Sequence, residues 1–79
     1  MPLASTIMIW RENGNLCSRL TTNAWKEKVL AKLEAFGLLQ SVQEIHAFFG
    51  DRAAGGNGYD LVWKKTVTWD DLQAILPKL

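Results

Sequence analysis

The chain has 79 residues, 48% of them apolar and 22% charged, with a formal net charge of +1. That length allows one domain, residues 1–79, around one small core. Such a core cannot spare an enzyme-sized cavity without losing stability. The near-neutral charge argues against a duplex-DNA binder, whose affinity rests on many phosphate contacts, and equally against a strongly acidic mimic of DNA.

Residues 5–11, "STIMIWR", are rich in the β-branched and aromatic types that favour strands. Asn13-Gly14 follows, and both central positions of a type I′ turn require positive φ, which these two residues tolerate best. A two-residue turn there fixes the return strand, "NLCSRLT" at 15–21, in register: Arg11 opposite Leu16, Trp10 opposite Cys17, Ile9 opposite Ser18, Met8 opposite Arg19, Ile7 opposite Leu20. Side chains alternate across a strand. One face therefore carries Ile7, Ile9, Leu16 and Leu20, and the other Met8, Trp10, Cys17 and Arg19.

A helix is expected next, capped by Asn23 or Thr22. Trp25, Val29, Leu33 and Phe36, with Leu30 beside them, recur at helical spacing as its apolar stripe. Lys26, Glu27, Lys28, Lys32 and Glu34 form the wet side, and Gly37 ends the helix. Residues 41–49, "SVQEIHAFF", fit two readings. Ser41 and Glu44 make a capping box for a helix, whereas Ile45, Ala47 and Phe49 alternate as in a strand. The strand is preferred because the two halves of the chain then match. "GDRAAGGNG" at 50–58 reads as a hairpin loop. The stretch beginning at Tyr59 alternates Tyr59, Leu61 and Trp63 against Asp60, Val62 and Lys64, as a strand does. Thr68 caps a last helix with Asp70 and Asp71 in its first turn. Trp69, Leu72, Ile75 and Leu76 form its apolar face, and Pro77 stops it.

The expected fold is α+β: a small antiparallel sheet of about four strands with two helices packed on one face, in ββα-ββα order. A Thr/Trp/helix phrase occurs twice, at Trp25 and Trp69, either by duplication or by the coincidence of two amphipathic helices following strands. Ile7, Ile9, Leu16, Leu20, Ile45, Phe49, Leu61 and Trp63 would meet Trp25, Val29, Leu33, Phe36, Trp69, Leu72 and Leu76 in the core. An antiparallel sheet can leave its second face in water.

The chemistry-bearing residues are few. Cys17 is the one cysteine and His46 the one histidine. An internal disulfide and a structural zinc site are thereby excluded, and an intracellular, cytoplasmic location is expected. "MPLASTIMIW" lacks a basic n-region, and no run approaches the roughly 18 apolar residues of a membrane span. Cys17 and His46 could pair as nucleophile and base only if strands two and three were neighbours. "GGNG" at 55–58 lacks the Lys-Ser/Thr of a phosphate loop. Asp70 and Asp71 diverge by about 100° on a helix, so capping explains them better than a carboxylate pair. No enzyme, cofactor or metal is implied.

The second sheet face is the unusual feature. Met8, Trp10, Cys17 and Arg19 would be joined there by His46, Phe48, Val62 and Lys64. Exposed aromatics flanked by Met, Arg and Lys suit a contact surface, since Trp and Arg are enriched at interface hot spots. The expected function is a small non-enzymatic binding module, regulatory or inhibitory, that occupies the surface of a larger protein partner, as small phage- or plasmid-borne inhibitors do. Met8, Trp10, Arg19, Phe48 and Lys64 are its contact residues, with Arg52 in the loop as a further contact. The alternative is a single-stranded nucleic-acid binder whose bases stack on the same aromatics. The structural alternatives are that this face is buried against a copy of itself in a homodimer, or that Trp10 folds over locally.

Overall fold

The computed structural model of the chain describes residues 6–50 and 56–79. The loop contact Arg52 lies outside the described residues, as does the side chain of Ile7. Four strands, β1 (Thr6–Glu12), β2 (Asn15–Thr21), β3 (Val42–Phe48) and β4 (Gly58–Trp63), form one sheet in the order β1-β2-β4-β3. Every neighbouring pair is antiparallel. Helix α1 (Lys26–Ala35) follows β2 and helix α2 (Trp69–Ile75) follows β4. A 3-10 turn at Leu39–Ser41 stands between α1 and β3, so the plain ββα-ββα order is interrupted.

The β1–β2 hairpin has the register that turn chemistry dictates, from Thr6 opposite Thr21 to Glu12 opposite Asn15. Asn13 and Gly14 both take positive φ, 52° and 83°, as a type I′ turn demands. Residues 42–48 are a strand, paired to β4 with an irregularity between Val42 and Glu44.

Leu16 and Leu20 of β2, Val29 and Leu33 of α1, Leu61 and Trp63 of β4, and Leu72 of α2 share one buried cluster with Leu76 and Leu79. Ile9, Val42, Ile45 and Tyr59 pack against it, half-buried. The fully buried indole of Trp63 donates its Nε1–H to Ser18 Oγ at 2.8 Å, so the buried hydroxyl and the buried indole satisfy each other. Tyr59 donates its hydroxyl to the Ala24 carbonyl at 2.9 Å and ties the segment before α1 to the sheet.

Four aromatic residues expected in the core lie outside it. Trp25 is 81% exposed and Phe49 87% exposed, while Phe36 and Trp69 are 43% and 38% exposed. For Trp25, Phe36 and Phe49 the cause is backbone phase, whereas Trp69 is the first residue of α2. A helical stripe continues only through residues with helical φ/ψ. Trp25 is the N-cap of α1, with extended backbone at φ −66°, ψ 153°, and Phe36 is the C-cap. Phe49 comes after the last residue of β3.

The two helix entries also differ. At α1, neither Asn23 nor Thr22 caps the helix, because the N-cap is Trp25 and has no side-chain cap bond. The Thr22 hydroxyl instead accepts from the Ala24 N–H. At α2, Thr68 and Asp71 form a complete capping box. Trp25 and Trp69 are therefore not equivalent positions. The end of α1 is as expected: Gly37 adopts φ 70°, its N–H donates to the Glu34 carbonyl, and the Leu38 N–H donates to the Leu33 carbonyl. That pair of bonds is a Schellman motif.

Candidate functional site

Residues alternating with the core positions point to the opposite face of the sheet. Pairing across the four strands puts Met8, Trp10 and Glu12 of β1, Cys17 and Arg19 of β2, Asp60 and Val62 of β4, and Glu44, His46 and Phe48 of β3 on this outer face. Met8, Trp10, Arg19 and Phe48 are thus brought together as expected. Lys64 is exposed just beyond the end of β4, and its backbone N–H donates to the Ser41 carbonyl.

Arg19 is the centre of the face. Its Nε donates to Asp60 Oδ1 at 2.8 Å and its Nη2 to Asp60 Oδ2 at 3.0 Å. This fork-to-carboxylate geometry fixes the guanidinium plane. The same guanidinium lies 4.6 Å from the Phe48 ring centroid and 5.8 Å from that of Trp10. The result is a row across the sheet, Trp10, Arg19 and Phe48, with Arg19 fixed by Asp60 on the neighbouring strand. The hydrogen bond to Asp60 raises the Arg19 pKa, desolvation opposes the rise, and the charge of Asp60 adds to it. Phe48 sits opposite Gly58. A Cβ at Gly58 would come 2.8 Å from Phe48 Cζ and collide with the Leu20 carbonyl oxygen, so the ring and the neighbouring strand both need glycine there.

Beside this row lies a shallow hollow of about 460 Å³. Trp10, Glu12, Asn15, Cys17, Glu44, His46, Asp60 and Val62 are among its lining residues. Trp10 Nε1–H donates to Glu12 Oε2 at 3.3 Å. Asn15 Nδ2 donates to the Trp63 carbonyl at 2.8 Å and to Gln43 Oε1 at 3.4 Å, bridging β2, β4 and the irregular start of β3. His46 Nε2 is 3.6 Å from Glu44 Oε1.

Cys17 is buried although it belongs to this face. Burial pushes its thiol pKa up, and the negative fields of Glu12, Asp60 and Glu44 add to the rise. β4 lies between β2 and β3, so Cys17 and His46 are not on adjacent strands. The nucleophile–base pair that adjacency would have allowed does not form. Among the described residues no group of three or more His, Cys, Asp or Glu side chains could hold a metal ion, and no helix is long and apolar enough to cross a membrane.

The face is less cationic than its Met, Arg and Lys content suggests. Glu12, Glu44 and Asp60 stand on it against Arg19, with Lys64 just beyond the end of β4. Asp60 was visible in the strand alternation, but its pairing with Arg19 depends on β2 and β4 being neighbours. A second aromatic surface, at the end of the sheet and sharing Phe48 with the first, was not expected from the sequence. Trp25, Phe48, Phe49 and Tyr59 line a concavity of about 390 Å³ there. Its one sequence signal is that Trp25 and Phe49 stand at the boundaries of their elements.

No known protein family, curated protein or solved structure matches the chain.

Proposed function

We propose that the protein is a small binding module that docks a larger protein partner on the outer face of its sheet. The observation that carries this reading is the Trp10–Arg19–Phe48 row. Interface hot spots favour Trp, Tyr and Arg whose geometry is set before binding, because fewer rotamers remain to be frozen. Arg19 meets that condition, since Asp60 holds its guanidinium on both oxygens and Phe48 holds it from the side. The half-exposed Met8 lies opposite Arg19 and adds an adaptable apolar contact. Glu12 and Glu44, the carboxylates of the face that Arg19 does not engage, favour a partner that presents Lys or Arg around an apolar centre. The same carboxylates disfavour nucleic acid, whose phosphates they would repel.

Binding of this kind makes the protein a regulator or inhibitor that works by covering a surface. The test is affinity capture from the source cell with nuclease-treated samples, run in parallel with wild type and an Arg19→Ala/Phe48→Ala variant. Support is a single protein retained by the wild type in stoichiometric amount, absent from the variant, and insensitive to nuclease. A retained species that vanishes with nuclease, or whose affinity falls steeply with added salt, identifies a nucleic-acid binder and rejects the proposal.

A further inference from the structure

We infer that the edge of β1 is a self-association site, at which two copies of the chain join their sheets through antiparallel β1–β1 pairing. The sheet order leaves two edges, β1 and β3. They differ in how they are guarded. The β3 edge carries a register irregularity between Val42 and Glu44 and exposes Gln43, Glu44 and His46 along its length. Bulges and charges of this kind deter strand addition. β1 pairs with β2 without interruption from Thr6 to Glu12 and contains no proline or glycine. Its charged residues, Arg11 and Glu12, are confined to the hairpin end. Among the described residues no backbone hydrogen bond runs from β1 to any element other than β2.

The turn fixes which amides are free. In a two-residue hairpin Glu12 and Asn15 form the hydrogen-bonded pair that closes the turn. Alternation then directs the N–H and C=O of Trp10 and Met8 to β2, and those of Arg11, Ile9 and Ile7 outward. A second β1 can use all three outward positions in one register, with Ile9 facing the partner's Ile9 on a two-fold axis and Arg11 facing the partner's Ile7. Only this register overlaps the whole of Thr6–Glu12 with itself and opposes no like charges. It also places Met8 beside the partner's Trp10 at a non-hydrogen-bonded pair, where cross-strand side chains approach most closely. A sulfur–aromatic contact forms twice, and the apolar surface of a 51% exposed methionine is covered. The two-fold axis is perpendicular to the sheet, so both outer faces lie on one side and the dimer presents two Trp10–Arg19–Phe48 rows.

Sedimentation equilibrium of the full chain across the micromolar to millimolar range tests the inference. The wild type should approach twice its 8.9 kDa mass. Arg11→Pro removes an outward-facing donor and leaves the β1–β2 ladder intact. Met8→Glu places opposite Arg19 a carboxylate that the monomer accommodates, but sets it against the partner's Trp10 in the dimer. Each substitution should raise the dimer dissociation constant at least about tenfold with unchanged far-UV circular dichroism. A wild type that stays at 8.9 kDa throughout, or a dimer of unchanged affinity in both variants, overturns the inference. Should Arg11→Pro lose secondary structure, Met8→Glu alone decides.

Discussion

The Arg19 guanidinium stacks on the Phe48 ring with 4.6 Å between them, across a strand that belongs to neither residue. β4 lies between β2 and β3, and the contact is made over Gly58 and Asp60. Glycine lets the ring come down to the sheet, and aspartate turns the guanidinium toward it. The stacked pair therefore depends on residues of three strands.

Gly58→Ala should be the most damaging small substitution on the outer face. Its Cβ would collide with the Leu20 carbonyl oxygen, a backbone atom of the adjacent strand, so no side-chain rotation relieves it. A loss of about 1–3 kcal/mol or more is expected from overpacking at a rigid site. Urea denaturation of the variant checks this.

Arg19 and Phe48 should be energetically coupled yet dispensable for folding. Each single alanine variant should cost about 0.5–1 kcal/mol, the range of partly exposed cross-strand pairs. A double-mutant cycle by denaturant titration should give less than the sum of the singles, because either change breaks the same contact. Strict additivity would show that the stacking contributes nothing.

Ser18→Ala should destabilise more than its size suggests. It leaves the Trp63 Nε1–H, fully buried, without an acceptor. About 1–3 kcal/mol is expected for an orphaned buried donor. Ser18→Thr keeps the oxygen and separates hydrogen bonding from packing when both variants are compared by thermal unfolding.

The buried thiol gives a pH dependence. The ordinary value for Cys17 is 9.0, and burial together with Glu12, Asp60 and Glu44 raises it in the folded chain. The folded state therefore keeps a proton that the unfolded state releases. Its contribution to stability is complete below 9.0 and is lost as pH climbs from there through the folded value. Urea midpoints measured below and above 9.0 should fall more for the wild type than for Cys17→Ala. Because the thiol is buried, alkylation of Cys17 should require opening of the sheet.

Much of this was legible in the sequence where chemistry is local. Asn13-Gly14 specifies a turn type, the turn specifies the hairpin register, and the register puts Met8, Trp10, Cys17 and Arg19 on one face. Gly37 and Thr68 marked one helix end and one helix start for equally local reasons. Strand order was not legible, because nothing in the chain says whether β2 meets β3 or β4. The Arg19–Asp60 pair and the separation of Cys17 from His46 both follow from that order. Trp25 and Phe36 misled because their spacing matches the α1 stripe while their backbones lie at its caps. A periodicity count cannot see where a helix stops.

The most direct test compares the two exposed aromatic surfaces. The affinity of the captured partner should be measured by titration calorimetry for wild type, Trp10→Ala/Arg19→Ala, which leaves the Phe48 ring shared by both surfaces in place, and Trp25→Ala/Phe49→Ala. Docking on the outer face predicts at least about a tenfold loss for the first pair and little change for the second. Retained affinity in the Trp10→Ala/Arg19→Ala protein, with loss in the Trp25→Ala/Phe49→Ala protein, would move the binding site to the end of the sheet and contradict the proposal.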